Sequence, residues 1–138
     1  MLDTNTVSYI VTGRSPSARE RLASLNKHEI GCISIITEAE LRYGVAKSRK
    51  AQVQLASLEG FFARVQVLTW GKEEALAYGQ LRAKQEAAGK TLQNLDMLIA
   101  AHAIAVGAIL VTADKAFSRV PDIPGAINWA LEFGNPKA

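Results

Sequence analysis

Four carboxylates in this chain stand where an α/β protein keeps its chemistry. Asp3 follows the apolar pair Met1-Leu2, Glu40 ends the stretch Thr37-Glu38-Ala39-Glu40 at the opening of a helix, Asp96 falls in the first turn of the segment that starts at Asn94, and Asp114 comes just after the apolar run 108–111. Softer ligands to accompany them are missing. Of the two histidines, His28 lies in a polar turn, and His102, six positions past Asp96, points roughly 240° further round an ideal helix. His102 therefore reads as a packing or hydrogen-bonding residue. Cys32, the single cysteine, sits among Ile30, Ile33 and Ile35 and reads as a small buried hydrophobe. An oxygen-only donor set favours a hard divalent cation, Mg²⁺ or Mn²⁺, over zinc. Such an ion polarises a phosphoryl oxygen and lowers the pKa of an attacking water, which makes metal-assisted attack on a phosphate ester the chemistry to expect. No glycine-rich phosphate loop, dinucleotide fingerprint, G-x-S-x-G elbow or paired Cys-x-x-Cys is present.

Each acid also has an ordinary structural reading. Asp3, or Asn5 two residues on, can cap a helix over 7–12. Thr37 and Glu40 have the spacing of a capping box, in which the Glu40 carboxylate reaches back to the Thr37 amide. Glu38 lies four residues before Arg42, the spacing of a surface ion pair, and it replaces Glu40 in a site only if the helix is rotated. Asp96 suits the positive end of a helix macrodipole. What argues for a site is their joint placement. Asp3 and Asp114 end strands while Glu40 and Asp96 begin helices, and in a parallel α/β layer strand ends and helix starts share one edge. Unpaired like charges gathered in a cleft repel one another and call for a compensating cation.

The elements that bring them there are organised around residues 94–114. Asn94 can cap a helix whose apolar residues Leu98, Ile99, Ala103 and Val106 recur near helical spacing, and Gly107 can stop it in the left-handed conformation. The strand 108–111 then delivers Thr112 and Asp114 past its carboxyl end. Upstream, Ser15-Pro16 opens a helix with Ala18, Leu22 and Leu25 inside. Residues 30–36 read as a β-branched strand, and Leu41 and Val45 face inward on the helix after it, where Gly44 allows a close approach. Residues 51–64 read as a helix pairing with that one through Val53, Leu58, Phe61 and Phe62. Residues 65–68 form a further strand, and 72–88 an amphipathic helix with Ala75, Leu76, Gly79 and Leu81 inside, stopped at Gly89. A last short strand is expected around Ile127 and Trp129. Alternating strands and helices predict an α/β fold in which a parallel central sheet is flanked by helices on both faces through right-handed crossovers.

Length and composition agree with one domain over residues 1–138. The 138 residues are 49% hydrophobic and 21% charged, enough to bury a core. No apolar stretch is long enough to span a bilayer and residues 1–30 hold no charged leader followed by a long apolar segment, so the expected compartment is the cytoplasm. A net charge of +3 with a pI near 9.2 leans mildly towards an acidic partner such as nucleic acid.

Four motifs carry a family resemblance. Leu2-Asp3-Thr4-Asn5, then Ile36-Thr37-Glu38-Ala39-Glu40-Leu41-Arg42-Tyr43-Gly44, then Asp96-Met97-Leu98-Ile99-Ala100-Ala101-His102-Ala103, then Leu110-Val111-Thr112-Ala113-Asp114 resemble the PIN-domain ribonucleases, and more closely the VapC-type toxins of bacterial toxin-antitoxin pairs. The resemblance covers essentially the whole chain in order and spacing. It implies a cytoplasmic, Mg²⁺-dependent endoribonuclease, usually a homodimer, acting on RNA and held inactive by a cognate antitoxin protein. By that match Asp3, Glu40, Asp96 and Asp114 are the metal-site acids, with Thr112 or Asn5 as polar support. The chain departs from the family pattern in having two apolar residues before its first aspartate, so that the first strand is short or the chain begins late. It also has Asp114 where many relatives have asparagine, which leaves open whether Asp114 touches the metal or holds a group that does.

Two rivals also place acids at strand ends. A phosphatase of the haloacid-dehalogenase type needs D-x-D-x-T after its first strand, and Asp3-Thr4-Asn5-Thr6-Val7 lacks the second aspartate and the final threonine. A non-catalytic regulatory module resembling a response-regulator receiver is phosphorylated at an aspartate and leaves RNA intact.

Overall fold

Strand propensity and helix capping compete along this chain, and at the first junction capping wins. The computed structural model describes residues 1–132; residues 133–138, which the single-domain reading includes, lie outside the described residues. Of the expected strand 30–36 only β1, Cys32–Ser34, forms, and Ile30 is 67% exposed. The Ser34 hydroxyl accepts the Ile36 N–H at 3.1 Å. This caps helix α3, Ile35–Ala46, and draws two isoleucines into a helical turn against their β preference. The shift also removes the expected capping box, because Thr37 now lies buried inside the helix and cannot act as its cap.

The remaining elements follow in the expected order. Helices α1, Thr4–Thr12, and α2, Pro16–Ala23, precede β1. Helix α4, Ala51–Phe62, packs on α3 through an Arg42–Glu59 ion pair at 2.9 Å, while Val53, expected inside, is exposed. Gly44 has no atom within 4 Å of the place a Cβ would take, so the close approach expected there is not made. Then come β2, Gln66–Leu68, α5, Lys72–Ala87, α6, Asn94–Val106, β3, Leu110–Val111, a 3-10 turn over Lys115–Arg119, β4, Ala126–Ile127, and α7, Trp129–Glu132. Trp129, expected on the last strand, instead opens α7. Gln93, not Asn94, is the residue flanking α6.

Two short parallel ladders, β1 with β2 and β3 with β4, are joined by the first residues of the chain. The Leu2 N–H donates to the Cys32 carbonyl at 2.9 Å, and Val111 N–H donates to Met1 and Asp3 N–H to Val111 at 2.7 and 3.0 Å. Residues 1–2 thus lie in the centre of the layer, with β1 and β2 to one side and β3 and β4 to the other. The strand order reverses there, which is the point where open α/β sheets leave a crevice at their carboxyl edge.

Side chains alternate across the layer as strand geometry requires. Met1, Cys32 and Leu110 join the core that contains Leu81, Met97 and Phe117, whereas Leu2, Ile33 and Val111 join the one with Val7, Ile10, Leu22, Phe61 and Trp129. Helices α5 and α6 therefore cover one face, and α1, α2, α4 and α7 the other. The buried line of α5 differs from the expected one: Leu81 and Gln85 are buried, while Leu76 is 63% exposed. Hydropathy misses this line because a polar residue belongs to it; Gln85 Nε2 is satisfied by the Lys90 and Arg119 carbonyls at 2.9 and 2.6 Å.

Candidate active site

Asp3 is the best-supported of the four acids. The chain leaves the central strand in extended conformation at Asp3, which becomes the N-cap of α1. One carboxylate oxygen accepts the Thr6 N–H at 2.9 Å, and the other accepts the Thr112 hydroxyl at 2.6 Å. Asp3 is only 4% exposed. The capping role read from sequence is real, and it takes up only one of the two oxygens. Thr112 in turn accepts the Asp114 N–H at 3.0 Å, so one hydroxyl links the first and last acids. Thr112 is the polar support. Asn5 lines the cavity and is exposed.

Glu40 has lost its backbone partner and found another. With α3 starting at Ile35, its carboxylate accepts the Thr4 hydroxyl at 2.9 Å, and that hydroxyl also lies 3.3 Å from the buried Thr37 hydroxyl. Thr4 is the supporting residue that sequence reasoning passed over; the Asp-Thr pair at a strand's carboxyl end was its signal. Glu38 instead accepts Arg42 Nε at 3.1 Å and does not line the cavity, which leaves Glu40 as the inward glutamate. Asp114 caps the 3-10 turn by accepting the Ala116 N–H at 2.8 Å. Asp96 projects from the first turn of α6.

All four line one cavity of about 560 Å³ together with Thr4, Asn5 and Arg119. Asp96 feels the charges of the other three. The Asp96 carboxyl is held above the usual carboxylate range, first by burial and then by the negative charges of Asp114, Glu40 and Asp3. No imidazole or thiolate lines the cavity. His102 is fully buried on α6 with Nδ1 2.7 Å from the Ser34 hydroxyl, the hydrogen-bonding role expected of it. Burial pushes its imidazole pKa down, opposed in part by Glu74.

Among the described residues no three acidic, imidazole or thiol side chains stand close enough together, as placed, to hold a metal ion between them. The arrangement is an open, oxygen-lined cluster. That suits Mg²⁺ or Mn²⁺, since Mg²⁺ usually keeps several waters and binds few carboxylates directly. The oxygen donors and the acidic neighbours that surround Asp96 both fit a cation here.

Known proteins share this architecture. The PIN domain family model matches residues 1–123. Ribonuclease VapC2 of Rickettsia felis is 39% identical over 124 residues, spanning 89% of this chain and 92% of that protein. The tRNA(fMet)-specific endonuclease VapC of Salmonella typhimurium is also 39% identical, with the same coverage. A chain in the crystal structure of VapBC2 from Rickettsia felis bound to a DNA fragment from their promoter superposes with a TM-score of 0.88 at 37% identity, covering 94% of this chain and 97% of that one. With a family model matching residues 1–123 and relatives 39% identical over most of both chains, this chain belongs to the PIN-domain family, among its VapC ribonucleases.

Proposed function

We propose that this protein is a metal-dependent endoribonuclease hydrolysing RNA phosphodiester bonds, the toxin of a toxin-antitoxin pair. The observation that carries the reading is the meeting of four carboxylates, remote in sequence, in one cavity at the carboxyl edge of the sheet. Asp3, Glu40, Asp96 and Asp114 are the groups that would hold Mg²⁺ or Mn²⁺. When bound, such an ion supplies Lewis-acid activation of the phosphate and of the attacking water. The protein's own part is orientation. Thr6 and Thr112 fix Asp3, Thr4 fixes Glu40, and the Thr112 hydroxyl ties the turn carrying Asp114 to Asp3. Asp96, whose charged form is disfavoured by burial and by its acidic neighbours, gains from a cation.

Cleavage of total RNA is expected with Mg²⁺ or Mn²⁺ and to fall to background in EDTA, because the acidic cavity repels a polyanion until a cation intervenes. Sequencing the new ends reads out both activity and target; undiminished cleavage in EDTA would sink the metal-dependent reading. Transfer RNA is the first substrate class to test, since a relative at 39% identity is named for it. No helix among the described residues is long and apolar enough to cross a membrane, and RNA and a cognate antitoxin are the partners proposed. Structures of relatives at 37% and 38% identity are of VapBC bound to DNA, and on that basis coexpression with the product of an adjacent small gene should yield a complex that does not cleave RNA. A protein that stays uncomplexed, active and harmless to its host would contradict the toxin assignment.

A further inference from the structure

Within the acidic cavity one cation stands apart. Arg119 is the only lysine or arginine lining it among the described residues. It closes the 3-10 turn that Asp114 opens. Arg119 makes no ion pair with a carboxylate among the described residues, although four of them line the same cavity. Among the described residues its side chain makes one hydrogen bond, from a terminal nitrogen to the Thr91 carbonyl at 3.3 Å, which uses one of five guanidinium N–H donors.

The residue is anchored through its backbone. Gln85, 2% exposed on α5, donates through Nε2 to the carbonyls of both Arg119 and Lys90. A buried amide therefore ties the 3-10 turn to the segment leading into α6, whose residues Thr91, Leu92 and Gln93 also line the cavity. Burying a polar side chain is costly unless it is satisfied, and this one is satisfied only while the two segments stay in register. The result is an exposed guanidinium carried on an anchored backbone beside an acidic cluster, with most of its planar fork unused. A guanidinium in that position matches the paired oxygens of a phosphate.

We propose that Arg119 contacts the substrate directly, its guanidinium gripping a backbone phosphate of the RNA at the wall of the acidic cavity. The proposal rests on the ribonuclease reading and adds a residue to it. The carboxylates and their cation handle the bond that breaks, while Arg119 holds the strand against the repulsion of those carboxylates. The alternative is that Arg119 only braces the Thr91 loop. Arg119→Gln separates the two when read beside Arg119→Lys, because the amide keeps a hydrogen-bond donor but carries no charge whereas the ammonium keeps the charge.

The test measures binding of fluorescein-labelled bulk transfer RNA to the full chain in an Asp96→Asn background, across a salt series with Mg²⁺ present. Cleavage by the parent protein is assayed in parallel. Adding Arg119→Gln is expected to weaken binding about tenfold, as loss of a hydrogen bond to a charged group does. It should also lower the salt-dependence slope by about 0.7 to 0.9, as loss of one phosphate contact does. Arg119→Lys should recover the slope and part of the affinity. An unchanged affinity and slope in a variant that folds normally would overturn the proposal, and so would a fall in melting temperature with the slope intact, the mark of a brace. If the parent protein neither cleaves nor binds RNA, the ribonuclease reading itself fails; if it does both and Arg119→Gln is silent, only this inference fails.

Discussion

Asp96→Asn is expected to abolish RNA cleavage and, in EDTA, to melt at a higher temperature than the parent protein. Two effects oppose each other at this position. A negative charge in the first turn of a helix is favourable by roughly 0.3 to 1 kcal/mol. Against it stand burial and the neighbouring Asp114, Glu40 and Asp3, which together hold the Asp96 carboxyl above its ordinary range. Desolvation and repulsion are expected to outweigh the dipole. The folded protein keeps its proton to higher pH than the unfolded chain does, so this group makes stability fall as pH rises through the window between the unfolded and folded values. The deficit then persists at neutral pH. Replacing the carboxylate with an amide removes it. The gap in melting temperature between variant and parent should accordingly narrow as the pH is lowered through that window. Added Mg²⁺ should stabilise the parent through binding to the folded state, by about 2.7 kcal/mol when present at a hundred times its dissociation constant, and should stabilise the variant less. Thermal melts of both proteins in EDTA and in Mg²⁺ decide the matter. A variant that melts lower in EDTA, keeps the full Mg²⁺ shift and still cleaves would reduce Asp96 to a helix-end charge.

Asp3→Ala should move stability the other way while also ending cleavage. Its carboxylate caps α1 through the Thr6 N–H and accepts the Thr112 hydroxyl in a buried setting. Loss of an aspartate cap costs about 0.5 to 2 kcal/mol, and a buried hydroxyl left without its acceptor costs roughly 1 to 3 kcal/mol more. Relief of repulsion offsets only part of this. The melting temperature should fall by about 10 °C for a domain of this size. Asp3→Asn keeps an oxygen for the cap and should fall less, and Thr112→Val should also melt lower than the parent, because it strips the bond to Asp3 and the acceptor of the Asp114 N–H while leaving the cap. Opposite signs for two acids of one cavity are the signature of a repulsive cluster built on one well-held member. Were both variants to melt lower, that account of the cavity would be wrong.

The alternation of strand and helix, the left-handed stop at Gly107, the cap at Ser15 and the convergence of four acids on one edge were all legible in the amino-acid sequence, whereas the choice of Asp3 over Asn5 as the first cap came with the start of α1 at Thr4. They follow from local rules: period, punctuation, and the direction a parallel strand delivers its end. Element boundaries were less legible where two local preferences compete, as at Ile35 and Ile36, whose β-branched side chains yield to the Ser34 cap. The buried side of α5 was hidden because Gln85 reads as a surface residue until the carbonyls of Lys90 and Arg119 are placed beside it.

By itself the sequence determined which residues are acidic, that Asp3 and Asp114 follow strands while Asp96 starts a helix, and that a parallel layer must bring such positions to a common edge. It could not choose between a capping glutamate and a cavity glutamate at position 40. Tertiary structure decided that, by starting α3 two residues before Thr37 and setting the Thr4 hydroxyl 2.9 Å from the Glu40 carboxylate across 36 positions of chain. It decided in the same way that Thr112 serves Asp3 from 109 positions away and that Arg119 lies at the cavity wall. Periodicity and capping act over a few residues, whereas the partner of a polar side chain is set by packing between elements distant in sequence.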